Sequence, residues 1–176
     1  MREAAKAVRK FLMINIFLSG LYGPVLYAQY HGEQGRESLY GLKGVAVEIS
    51  DIDSVVELDG LKKFQLESDV VLRLQKAGIK ALTDRAWSET PGQPLLFISV
   101  RTIKYEELGV YFYSIEVDLN QEVIITRKPS IRVGGRTWGT SVVGFIGESE
   151  IQEELRESVR YLIELFINDY FTVNSK

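Results

Sequence analysis

Between Val110 and Thr126 the chain reads VYFYSIEVDLNQEVIIT, and alternate residues there divide into two kinds. Tyr111, Tyr113, Ile115, Val117, Leu119, Gln121, Val123 and Ile125 form one set. Val110, Phe112, Ser114, Glu116, Asp118, Asn120, Glu122 and Ile124 form the other. A period of two puts successive side chains on opposite faces of a pleated strand, so this is one long strand with an apolar face and a face carrying charge. Such a strand belongs in an antiparallel sheet that is covered on one side and wet on the other. The remainder of the chain must supply its neighbours and its cover.

The neighbours are legible on both sides. Leu95 to Tyr105 is a strand, and the short connection Glu106-Glu107-Leu108-Gly109 makes it a hairpin partner of the central one. Lys128-Pro129-Ser130 turns the chain back through Ile131 to Ile146, where Gly134, Gly135, Gly139 and Gly144 suggest bends or bulges rather than one regular strand. Upstream, Val45, Val47 and Ile49 alternate with Ala46, Glu48 and Ser50 as a first strand, and Ile79 to Leu82 reads as a second. Between them, Leu66, Val70 and Leu74 recur every four residues opposite Lys63, Glu67, Arg73 and Lys76, which predicts an amphipathic helix. Asp59 is placed to accept amides at its start and Gly78 to end it in the left-handed conformation. Strand, helix, strand predicts a parallel crossover. Residues 83–94 (TDRAWSETPGQP) read as a turn-rich loop.

The cover is completed by the last element. Ser149 and Gln152 have capping-box spacing, Glu148, Glu150, Glu153 and Glu154 suit the positive end of a helix dipole, and Ile151, Leu155, Val159, Leu162, Phe166 and Tyr170 trace an apolar stripe. The expected fold is α+β: a mixed, mainly antiparallel sheet of about five strands with two helices on one face, in the order β-α-β-β-β-β-α.

The amino terminus reads differently. Arg2, Lys6, Arg9 and Lys10 precede the apolar run FLMINIFL, and Gly20, Gly23 and Pro24 lead to Leu26-Tyr27-Ala28. A basic region, a short apolar core and a small terminal residue describe a secretory signal peptide over residues 1–28, cleaved after Ala28. The run falls short of the roughly 20 residues a permanent span needs, so none is expected after cleavage; an uncleaved membrane anchor is the alternative. Residues 29–42 are polar and glycine-containing and read as a linker, and residues 43–176 as a single α+β domain. The expected location is the bacterial periplasm or the medium. Without residues 1–28 the chain keeps 17 basic and 23 acidic side chains, a net charge of −6 that argues against nucleic acid as a partner.

No local catalytic or metal signature is present. The chain has no cysteine, and its one histidine, His31, lies in the linker stretch without a second ligand nearby in sequence. Glu116 and Asp118 share a strand face, but a wet face carries such acids routinely, and Arg101 on the adjacent strand offers an ion-pair partner. A hydrolase using Glu116 or Asp118 is the least favoured reading; no cofactor is expected. Gln121 interrupts an apolar set, so it is either satisfied at a bulge or loop carbonyl or serves as the polar group of a ligand pocket. Arg127, Lys128, Arg132 and Arg136 reverse the sign of an otherwise acidic chain within ten residues and form a candidate anion- or partner-binding edge, which Trp138 joins if it is exposed; an inward Trp138 is simply core. The bland alternative is a solvated hairpin whose charges prevent edge pairing.

The element order behind an export signal resembles small bacterial envelope domains, in particular the TolB amino-terminal domain and the lipoprotein of lipopolysaccharide assembly. SDVVLRLQKAGIKAL and PLLFISV are similar to the helix and strand of an uncharacterised exported bacterial family. The resemblance covers residues 45–171, brings no catalytic residues and departs at one point: without cysteine the lipidated residue of such lipoproteins is missing. It implies a non-enzymatic accessory domain binding an envelope protein. A carrier of an apolar or anionic small ligand between sheet and helices is the alternative.

Overall fold

A computed structural model describes residues 26–29, 32–58 and 60–175. Five strands form one sheet in the order β1-β5-β4-β3-β2, with β1 Leu26–Gln29, β2 Ala46–Ile49, β3 Leu95–Tyr105, β4 Val110–Ile124 and β5 Arg132–Gly147. Helices α1 Gly32–Glu37, α2 Ser54–Leu58, α3 Lys63–Lys76, α4 Asp84–Glu89 and α5 Ile151–Asn174 complete the described elements. The sheet is mixed: β2 and β3 run parallel, while every other neighbouring pair is antiparallel.

The alternation read in the central strand is what fixes its faces. Tyr111, Tyr113, Ile115, Val117 and Leu119 are buried. They are paired across the ladder with Leu96, Ile98 and Val100 of β3 and with Trp138, Val142 and Ile146 of β5. On this face lie α5, across β4 and β5, and α3, against α5 and β2. The stripes that predicted these helices are the residues that fill the interface: Leu66, Val70 and Leu74 from α3, and Ile151, Leu155, Val159, Leu162 and Phe166 from α5. Together with the inward strand residues they make one continuous apolar core. Gly78 ends α3 with φ +81°, and Ile79 N donates to Leu74 O across that turn. At the start of α3, Lys63 Nζ donates to Asp51 Oδ1 at 2.8 Å. That hydrogen bond, more than the charge behind it, holds the Asp51 carboxyl below its ordinary value.

Several boundaries differ from the sequence reading. Ile79–Leu82 does not form a strand: only Ala81 bridges, to Val45, and the parallel partner of β2 is β3. Once Gly78 has turned the chain, Ile79 is buried and Leu82 N returns a hydrogen bond to Val45 O, so the segment closes a loop instead of extending a ladder. The loop read over residues 83–94 contains α4, whose first turn is capped by Thr83 Oγ1 accepting from Ala86 N at 3.4 Å. The capping box is not made. Ser149 lies in a 3-10 turn, Glu148–Glu150, and no side chain caps α5. Asp59, expected at the start of α3, and His31 lie outside the described residues, as do residues 1–25. The stretch read as a linker carries α1 and the fully buried Leu39.

β5 is one strand, not a series of bends, because its glycines make room for partners. At Gly144 a β-carbon would stand 2.6 Å from the Tyr113 hydroxyl oxygen, and at Gly139 it would strike the Asp118 carboxylate. A single register shift falls at Leu119/Asn120: Leu119 faces Trp138 while Asn120 faces Arg136, leaving Thr137 as the extra residue.

Candidate partner-binding surface

That bulge separates the residues the sequence had grouped. Because side chains alternate with period two, one extra residue resets the phase of a strand. Trp138 therefore points inward, 3% exposed, with its ring edge-on to Phe166 at 5.2 Å and its Nε1 donating to Asp169 Oδ2 at 2.9 Å. It is core, not part of an exposed edge. The basic residues stay outside. Arg132 Nη1 reaches Glu122 Oε1 at 2.8 Å, and Arg136 Nη1 lies 3.3 Å from both Asp118 carboxylate oxygens. Arg127 and Lys128 sit in the exposed turn between β4 and β5.

Two of the four positive charges thus pair across the hairpin, and the pairs differ in weight. Arg132–Glu122 is exposed, so Arg132→Glu is expected to change stability by less than about 1 kcal/mol. Asp118 is largely buried beside Gly139, so Arg136→Glu sets a second acid against it and is expected to cost on the order of 2 kcal/mol. Urea denaturation of the two variants side by side measures the difference.

Gln121 is satisfied locally. Its Nε2 donates to Thr137 Oγ1 at 2.8 Å and to Ser38 O at 3.3 Å. The bulged residue thus supplies one acceptor and the turn after α1 the other. Glu116 stands on the outer face between Ser99 and Ser141 in the ladder, and Arg101 is opposite Ser114. Asp118 therefore draws its guanidinium from Arg136 rather than from Arg101. Among the described residues no group of three or more metal-ligating acids or imidazoles converges.

The outer face also holds a feature that the sequence reading passed over. Ile103, Phe112 and Phe145 lie in one row across β3, β4 and β5, and Arg101, Ser114, Val143 and Leu26 form the next. Ile103 is 72% exposed, Phe112 50%, Val143 50% and Leu26 70%. The Phe112 and Phe145 rings are tilted against each other with centroids 6.0 Å apart. Tyr105 and Leu108 are exposed in and beside the β3–β4 turn that borders these rows. The face is thus divided lengthwise: apolar near that turn, acidic and basic towards the β4–β5 hairpin. Its signal was in the sequence, since Val110 and Phe112 precede the polar run Ser114, Glu116, Asp118, Asn120 and Glu122 on the same face of the central strand.

Elsewhere the molecule offers less. Between sheet and helices, buried residues of both layers form one continuous apolar cluster. A groove of about 780 Å³ lies between α3 and α5, but the ion pairs Arg156–Asp69 and Arg73–Glu164 span it. A shallow cleft of about 230 Å³ is bordered by Trp87, Gln93, Asn120, Gln121 and Arg132. No protein-family model matches the chain, and no curated protein is significantly similar to it. Among the described residues no helix is long and apolar enough to cross a membrane.

Proposed function

We propose that this protein is a non-enzymatic accessory domain of the bacterial cell envelope that binds a protein partner through the open face of its sheet. The observation that carries the reading is the row Ile103, Phe112, Phe145. The exposed Ile103 and half-exposed Phe112 sit there beside the partly buried Phe145, on a face that no described helix covers. Contiguous exposed apolar surface of this kind on a folded domain marks an interaction site far more often than scattered exposed leucines do. Aromatic side chains on a rigid strand lose little conformational freedom on binding, which suits them as anchors. The export expectation comes from the basic and apolar amino-terminal sequence. The continuous apolar cluster between sheet and helices supports this reading over a carrier of small ligands held there. The paired Arg132 and Arg136 then border the interface and steer its approach rather than forming its centre.

A photoreactive residue in place of Phe112, crosslinked in intact cells, is expected to yield a discrete adduct with another envelope protein. The double variant Phe112→Asp/Phe145→Asp is expected to lose that partner by about thirtyfold or more, the size of a hot-spot loss, while unfolding in urea close to the parent. Unaltered binding by the double variant would exclude this face.

A further inference from the structure

The edge of the sheet next to that face is closed by the chain's own leader end. β1 pairs antiparallel with β5 over four residues, Leu26 opposite Val143, Tyr27 opposite Val142, Ala28 opposite Ser141 and Gln29 opposite Thr140. Leu26 and Ala28 both direct exposed side chains to the open face, and the one side-chain bond described between the two strands is Thr140 Oγ1 donating to Ala28 O at 3.3 Å. Four ladder pairs join β1 to β5. So short a ladder at the edge of a sheet opens at low cost.

The sequence places processing inside this strand. A cut after Ala28 removes Leu26, Tyr27 and Ala28 and leaves only Gln29 of β1. The four β5 residues thereby uncovered, Thr140-Ser141-Val142-Val143, contain no charge, no proline and no glycine. Three of them, Thr140, Ser141 and Val142, are buried while β1 is in place. Sheet edges are ordinarily blunted by charges, prolines or bulges, and the bulge of β5 falls at Thr137, outside this stretch. Removing β1 leaves backbone donors and acceptors on a flat, uncharged edge that adjoins the apolar rows of the open face. A row of such groups is a template for pairing with another strand.

We propose that Thr140–Val143 is a strand acceptor: once processing has removed Leu26–Ala28, an extended segment of the envelope partner takes their place antiparallel to β5. The inference rests on the envelope reading above and names the partner's chemistry. It is an uncharged extended segment with alternate apolar side chains, one of which lies beside Val143 where Leu26 lies in the structure. The main-chain ladder supplies affinity, and the rows around Phe145 and Val143 supply selectivity. Export processing is then also activation, because the precursor carries its own plug.

The test uses the full chain expressed in cells. Intact mass and amino-terminal sequencing of the protein recovered from the envelope are expected to give a chain starting at Gln29. A photoreactive residue in place of Val143 is expected to trap the same partner as one at Phe112. A synthetic peptide of residues 22–30, added in excess to solubilised envelopes, is expected to suppress the Val143 adduct at least severalfold. An envelope-located chain that still begins upstream of Leu26 overturns the inference, since β1 then stays intramolecular. A processed chain whose Val143 gives no adduct, or only an adduct with a second copy, overturns it as well. In each of those cases a Phe112 adduct leaves the open-face reading standing, whereas loss of both adducts removes the two together.

Discussion

Trp138→Ala is expected to cost about 3–5 kcal/mol, the usual range for truncating a buried aromatic side chain. The indole fills the core beneath the bulge, edge-on to Phe166, and its Nε1 binds Asp169, which also accepts from Arg36 Nε at 2.9 Å. Alanine leaves a cavity against α5 and takes one of two donors from a largely buried carboxylate. For a domain of this size the loss corresponds to a fall in Tm of roughly 10 °C. Trp138→Phe separates the two effects by keeping most of the volume while deleting the donor, and should cost about 1–2 kcal/mol. Thermal and urea unfolding of the pair provide the measurement. Were Trp138 an interface anchor instead, both variants would keep parental stability and lose only partner binding.

Gly144→Ala is the second large effect, and it runs through a different part of the core. Gly144 faces Tyr113 across the ladder, and a β-carbon there would stand 2.6 Å from the phenol oxygen and 2.7 Å from the ring carbon that bears it. The ring has little room to yield. Its hydroxyl donates to Glu154 Oε1 at 2.6 Å, and that same oxygen accepts from Ser158 Oγ at 3.2 Å. Moving Tyr113 therefore disrupts a polar cluster between sheet and α5 as well as the packing. A cost of about 1–3 kcal/mol is expected, typical of overpacking. Tyr113→Phe removes the nearest clashing atom together with its bond to Glu154, so the ring can shift away from the new β-carbon more readily. The double variant Tyr113→Phe/Gly144→Ala should therefore be less destabilised than the sum of its parts, a coupling that a double-mutant cycle in urea measures. Additive behaviour would mean that the glycine does not serve this contact.

These two variants touch the parts of the fold that were most and least legible in the sequence. The strand Val110–Ile124, its hairpin with Leu95–Tyr105 and the helix Ile151–Asn174 follow from period-two and period-3.6 patterns long enough to outweigh local accidents. Trp138 reads in sequence either as an exposed anchor or as core, because a hairpin rich in arginine and glycine does not show which face it takes. Its orientation is set by Thr137, a residue whose only mark in sequence is to be one too many. The glycines of β5 suggest bulges or bends because sequence does not show what stands opposite them; the one bulge falls at Thr137, and at Gly139 and Gly144 it is Asp118 and Tyr113 that need the space. Ile79–Leu82 has the composition of a strand but only one bridging residue: it meets the free edge of the β2 segment at Val45 alone, where Ala81 bridges in parallel. The exposed row of Ile103, Phe112 and Phe145 was divided among three strands, and no single strand shows that its apolar intruders coincide.

The end of α5 also clasps the segment that follows α1. Asn174 Oδ1 accepts from Gly41 N at 2.8 Å, Asn174 Nδ2 donates to Leu39 O at 2.9 Å, Tyr170 hydroxyl donates to Leu42 O at 3.1 Å, and Arg36 reaches Asp169. These contacts join residues more than a hundred positions apart in the chain. Pairings of such long range form late and slow the folding of a domain. Leu39 cannot settle into its buried site until residues near Asn174 have been synthesised and released. A chain threaded across a membrane from its amino terminus would thus remain without its final closure until nearly all of it had passed through. The clasp thus ties the first described helix to the last, so the fold closes only when its two most distant segments meet.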